Sequence, residues 1–219
     1  MEKTIFDAQM RSSCYSLLAG LMLTEPNAET LGDYMEGLKE LLEAFGESYT
    51  PVGIGLGGDA LLSLCRQQYY DAFFVPKSGA YVPPYASSLR DYDPSRKKKP
   101  FGLLDPKAAA RVQAMYDSVG FDPHALNVYS PWRQIGAADN IGFELAFMAC
   151  LCSQQSASEE EKNLFLDLQK RMLRDHLLPC LPNFDQALSR TDALLYSQTA
   201  RAAYLFVKQD WAALDANTK

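Results

Sequence analysis

Apolar residues recur along the chain at helical spacing. Over residues 4–23 they fall at Phe6, Met10, Cys14, Leu17, Leu18, Leu21 and Met22, and Glu25-Pro26-Asn27 ends the run. A second helix is predicted through Leu31, Tyr34, Met35, Leu38, Leu41, Leu42 and Phe45, with Gly46 beyond its end. After the glycine-rich loop P-V-G-I-G-L-G-G, Asp59 is expected to cap a third, carrying Leu61, Leu62, Leu64, Cys65, Tyr69, Phe73 and Phe74. Asp105-Pro106 opens another, with a capping residue and a proline at the first helical position, and Gly120 closes it. Ser158-Glu159-Glu160-Glu161 reads as a capping box ahead of Leu164, Phe165, Leu168, Met172, Leu173 and His176. Prolines 179 and 182 are expected to break the chain there, before one or two final helices holding Leu194, Leu195, Tyr204, Leu205, Val207, Trp211 and Leu214.

One stretch differs in kind. From Asp139 to Cys152, D-N-I-G-F-E-L-A-F-M-A-C-L-C, the only charge after Asn140 is Glu144, and apolar side chains point in every direction around a helix. Such a helix must be buried. It is too short to span a bilayer, which takes roughly 20 apolar residues. It is read as the central helix, with Asp139 or Asn140 capping its start. Residues 75–105 and 121–138 are irregular, and loops of that length are usually functional or disordered. With no alternating strand pattern, no repeat and no dividing linker, the fold class is all-α: a single-domain helical bundle with long irregular loops, over residues 1–219.

Charge and composition narrow the functions. A formal charge of −6 argues against general nucleic-acid binding, which needs a basic face. Five cysteines without framework spacing suit a reducing compartment. The first ten residues carry acids where a signal peptide would be basic, and no window reaches transmembrane length, so a cytoplasmic protein without stable membrane insertion is expected.

Motifs for ordinary catalysis are weak. Gly53, Gly55 and Gly58 fit G-x-G-x-x-G, but a helix and Pro51 precede them and Asp71 falls too early for a dinucleotide site. Cys150 and Cys152 diverge by about 200° on a helix, and His124 and His176 have no ligand-spaced partner, so no metal is expected. Arg96-Lys97-Lys98-Lys99 reads as a solvated loop. What stands out is aromatic: Tyr69, Tyr70, Phe73 and Phe74 end a helix, and Tyr81, Pro83, Pro84, Tyr85 and Tyr92 follow. Aromatics and prolines in loops can line a peptide groove. Equally, they can seal the end of the bundle.

At these residues the sequence resembles the TorD/DmsD family of redox-enzyme maturation chaperones, which includes NarJ-like members. Tyr70-Asp71-Ala72-Phe73-Phe74 is similar to its aromatic-x-x-Leu-Phe motif, with Phe73 for leucine, and Pro84-Tyr85-Ala86-Ser87 to its P-Y-x-S segment. Asp139 to Met148 resembles D-H-x-x-x-E-L-x-F-M, and His176-Leu177 through Phe184 a later H-L-x-x-W-L-P-x-F element, with Cys180 for tryptophan. The resemblance implies a non-catalytic, cofactor-free chaperone for a molybdopterin-containing oxidoreductase subunit, binding its twin-arginine leader, its folded body, or both. It implies binding through Tyr70, Phe73, Phe74, Pro84, Tyr85, Ser87, Asp139 and Asn140, and Trp132 in the adjoining stretch joins them as a candidate. Asp139 could pair with a leader arginine. Asn140 stands where the family has histidine, which puts in question any role of that histidine, including the guanine-nucleotide binding suggested for some members. The competing readings are a helical small-molecule-binding protein or enzyme with a polar pocket around His124, Trp132 and Asp139, and a purely structural interaction module.

Overall fold

A computed structural model describes residues 7–154 and 159–216. Among the described residues ten α-helices follow one another: α1 (Ala8–Leu23), α2 (Leu31–Ala44), α3 (Gly58–Phe73), α4 (Ala86–Arg90), α5 (Pro106–Asp117), α6 (Ser130–Ile135), α7 (Ile141–Ser153), α8 (Glu159–Met172), α9 (Leu178–Leu188) and α10 (Leu194–Ala216). Among the described residues there is no strand, only an isolated antiparallel bridge between Tyr85 and Asn140. No described helix is long and apolar enough to cross a membrane. The expected capping box begins at Ser158 and the first expected turn at residues 4–6, both outside the described residues.

Helix α7 is the centre, as its all-round apolar sequence requires. Ile141, Phe143, Leu145, Phe147, Met148 and Leu151 are all buried, and α1 packs along it with α8 alongside. Burying a large apolar side chain contributes about 1.5–3 kcal/mol, so this one element anchors much of the core. Close approach of α1 is possible because residue 142 is glycine: a Cβ there would sit 2.6 Å from Leu23 Cγ. Helices α1, α8 and α10 are joined by a buried polar cluster. Arg11 donates to both Asp210 oxygens at 2.5 and 2.9 Å and to Gln169 Oε1 at 2.7 Å, and the Tyr15 hydroxyl donates to Asp210 Oδ2 at 2.6 Å. Removing two charges from water is costly, and the three bonds donated by Arg11 Nε and Nη2 offset that cost.

The structure differs from the sequence reading in four places. Helix α3 starts one residue before Asp59, which therefore lies in the first turn, where a carboxylate suits the helix dipole, and Gly57 is the N-cap. The 75–105 stretch contains α4, and the 121–138 stretch contains a 3-10 turn at Pro123–Ala125 and α6. Gly136 ends α6 in the left-handed region at φ 62°, a conformation that costs glycine little. Finally, prolines 179 and 182 do not break the chain. Helix α8 runs through a π turn at Leu173–Leu177, in which the Leu178 amide bonds back to the Leu173 carbonyl, and continues as α9. Pro179 has no N–H to offer the Asp175 carbonyl four residues back. That carbonyl accepts instead from Arg90 Nη2 at 3.0 Å, while Asn183 Nδ2 donates to the Leu89 carbonyl at 2.8 Å. A tertiary contact thus replaces the helical bond, and α4 is tied to α9.

Candidate functional site: an aromatic cluster joined to the start of the central helix

The last turn of α3 places Tyr69 and Phe73, four residues apart, on one buried face. Tyr69 is the hub. Its ring lies within 6.0 Å of those of Tyr70, Phe73, Phe74, Tyr129 and Tyr196, its hydroxyl donates to the Met22 carbonyl at 3.2 Å, and it accepts from Trp132 Nε1 at 2.6 Å. Trp132 packs on Phe74 with ring centroids 4.4 Å apart. A buried indole N–H and a buried phenol each need a partner, and here they supply one another.

From α3 the chain returns through Val82, whose amide donates to the Ala72 carbonyl at 2.8 Å. Tyr85 is extended and pairs with Asn140: the Ile141 amide donates to the Pro84 carbonyl at 2.9 Å, and the Ala86 amide to the Asp139 carbonyl at 2.8 Å. Asp139 and Asn140, both short and able to cap, divide the work. Asn140 Oδ1 accepts the Gly142 amide at 2.8 Å and so caps α7. Asp139 Oδ2 instead accepts the Ser87 hydroxyl at 2.5 Å and its amide at 3.2 Å, capping α4 from across the junction. The Ser87 hydroxyl also accepts the Asp105 amide at 3.2 Å, so the far end of the loop closes on the same point.

The structure therefore brings the sequence candidates into one neighbourhood but buries most of them. Phe73, Pro84, Tyr85, Ser87, Trp132, Asp139 and Asn140 are buried. The sequence left a peptide groove and a sealed bundle end equally open; the rings of Tyr69, Phe73 and Phe74 pack against Trp132 of α6 or Tyr196 of α10. Tyr70 and Phe74 remain half-buried, beside half-buried Tyr129 and exposed Val75. Tyr129 lies 6.1 Å from Tyr70 and 5.4 Å from Phe74, and the Tyr70 hydroxyl donates to Glu25 Oε1. That bond to a carboxylate, with burial second, raises the Tyr70 pKa. The accessible feature is thus an aromatic edge with one carboxylate beside it. Tyr129 and Glu25 are the additions. Tyr129 was visible as an aromatic in an irregular stretch, whereas Glu25 carries no sequence signal beyond its place at a helix end.

A second concavity, of about 630 Å³, lies on the other side of the loop, between Tyr81, Pro83 and Tyr85 and the 97–104 segment. Burial, then the nearby Tyr81 and Asp139, push the Tyr85 phenol up to about 12. The polar pocket considered around His124, Trp132 and Asp139 has its groups turned to separate partners: Trp132 to Tyr69, Asp139 to Ser87, and His124 to the surface. Among the described residues no group of three or more His, Cys, Asp or Glu side chains could hold a metal ion. Gly53 and Gly55 make a turn at φ 63° and 80° between two helices, without the strand a dinucleotide loop requires.

Comparison with known proteins gives a family match. The family described as "Nitrate reductase delta subunit" matches residues 24–186. Two proteins named "Chaperone protein TorD" from Vibrio cholerae serotype O1, one of them from the Classical Ogawa strain, are each 31% identical over 160 residues. A third of that name, from the El Tor Inaba strain, is 30% identical over 160 residues. The alignment covers 72% of this chain and 64% of each relative, so the chain matches less than two thirds of their length. No solved structure matches the chain.

Proposed function

The chain belongs to the nitrate reductase delta subunit family, and from that premise we propose that it is a non-catalytic chaperone for the maturation of a redox enzyme. The client is a molybdopterin-containing oxidoreductase subunit, met in the cytoplasm as its twin-arginine leader, its cofactor-free body, or both, and held until cofactor insertion precedes export. The whole chain acts as one helical domain without a cofactor of its own. The observation that carries this reading is the half-exposed aromatic edge of Tyr70, Phe74 and Tyr129 with Glu25 at its side. Rigid aromatic area at low entropy cost suits an apolar peptide segment, and a carboxylate suits the arginines ahead of it. Phe73 and Trp132 pack behind that edge, and Pro84, Tyr85, Ser87, Asp139 and Asn140 form the junction that joins the loop to the start of α7.

Calorimetry of the purified chain against the leader peptide and the cofactor-free client tests this. Binding of at least one of them at micromolar concentration is expected, reduced when Glu25 is replaced by glutamine. If neither binds at that concentration, the chaperone reading fails.

A further inference from the structure

The basic run Arg96–Lys99 leads directly into Phe101-Gly102-Leu103-Leu104, in which Leu103 is 89% and Leu104 54% exposed. Loose anchoring does not account for that exposure. The Gly102 amide donates to the Ser88 carbonyl at 2.9 Å, and the Ser88 hydroxyl donates back to the Gly102 carbonyl at 2.9 Å. The Asp93 amide donates to the Pro100 carbonyl at 2.7 Å, and Phe101 stacks on Tyr92 at 5.1 Å. A Cβ on Gly102 would lie 2.7 Å from Asp91 Cβ, so the backbone is pressed close against its support. Clefts of about 630 and 790 Å³ flank the segment, and Phe101–Leu104 line both, which makes it a ridge with an apolar crest.

Charge selects what meets that crest. The chain carries −6 overall; Arg96 is paired with Asp93 at 3.1 Å, and Lys97, Lys98 and Lys99 carry +3, so the remainder is formally −6 − 3 = −9. An anionic surface would repel most of the molecule and attract this ridge, which fixes one orientation. We propose that the ridge is a peripheral docking surface for an anionic lipid bilayer, with Lys97, Lys98 and Lys99 at the headgroup phosphates and Leu103 and Leu104 among the upper acyl carbons. A bilayer receives protruding leucines without a preformed recess, whereas an acidic protein partner would have to present a pocket for each. Each lysine near such a surface contributes about a five-fold gain in partitioning.

Co-sedimentation of the full chain with vesicles of phosphatidylglycerol and phosphatidylcholine, against phosphatidylcholine alone, tests this. Retention on the anionic vesicles only, released at high salt, is expected. Replacing Lys97, Lys98 and Lys99 together by glutamate should lower partitioning by at least about 100-fold. Leu103→Ser with Leu104→Ser should lower it about ten-fold, with Leu103→Ala and Leu104→Ala as a milder second pair should the first impair folding. Equal retention on both vesicle types, no retention, or retention unchanged by the leucine variants overturns the proposal. Binding to polyglutamate in place of vesicles overturns it too, and would assign the ridge to an acidic protein. Leader-peptide affinity should be unchanged in all these variants, so this proposal and the chaperone reading stand or fall separately.

Discussion

The hydroxyl of Ser87 donates to Asp139 Oδ2 at 2.5 Å, across 52 residues of sequence, and both groups are buried. The same oxygen accepts the Ser87 amide. Removing either side leaves a buried polar group short of its partner, which costs about 1–3 kcal/mol. Ser87→Ala and Asp139→Asn should each lower stability by that order. The double variant should cost less than the sum, because the two share one interaction. Urea unfolding of the three proteins measures this, and strict additivity would show that the pair is not coupled.

Glu144 offers a pH test. It is fully buried in α7 with Oε1 3.5 Å from His176 Nδ1, and burial pushes its carboxyl from the ordinary 4.5 up to about 7, the imidazole opposing. An acid raised on folding contributes least at high pH: stability falls as pH climbs from the unfolded value to the folded one. Glu144→Gln cannot ionise, so it should gain on the wild type between pH 4.5 and about 7, by roughly 3 kcal/mol in all at 1.36 kcal/mol per pH unit. Unfolding free energies of both proteins at pH 5, 6, 7 and 8 decide it. A glutamine variant that loses ground as pH rises would show that Glu144 is held as a carboxylate by His176.

Neighbouring phenylalanines should behave differently. Phe73 is buried between Tyr196, Trp132 and Phe184, and Phe73→Ala should cost about 3–5 kcal/mol of stability. Phe74 is half-buried, so Phe74→Ala should cost less and weaken leader binding by about 2 kcal/mol. Thermal melts paired with peptide titration separate the two. Parallel losses of fold and binding in both variants would assign Phe74 to the core alone.

The buried Arg11–Asp210 pair predicts an asymmetry. Arg11→Ala strands the Asp210 carboxylate without its cation and should cost about 3–5 kcal/mol. Arg11→Met combined with Asp210→Leu removes both charges at similar volume and should recover most of that loss. Chemical denaturation of the single and paired variants is the measurement, and a pair as unstable as Arg11→Ala would mean that the hydrogen bonds to Gln169 and from Tyr15 matter more than charge.

The sequence made α7 legible because no face of it is polar, and the aromatic end of α3 because residue type alone announces it. How deep those rings lie was not legible, since their partners Trp132 and Tyr196 come from 59 or more positions beyond Phe73. Nor was the division between Asp139 and Asn140, because both are short side chains that can cap equally well; only the arrival of Ser87 decides which carboxyl or amide goes where. The rule that prolines stop helices failed at Pro179 for a similar reason. The acceptor it leaves vacant is filled by Arg90, 85 residues away in sequence from that carbonyl.

That substitution has a consequence for α4. A five-residue helix has too few internal bonds to persist alone. It is held at its start by Asp139, just ahead of α7, and at its end by the carbonyl of Asp175, just ahead of α9. It behaves as a latch with two catches on different parts of the bundle. Releasing either catch leaves so short a coil to its side tethers, the paired Ser88–Gly102 bonds and the Asn183 bond to the Leu89 carbonyl. Its helicity is therefore a gauge of whether the start of α7 and the start of α9 are both in place at the same moment.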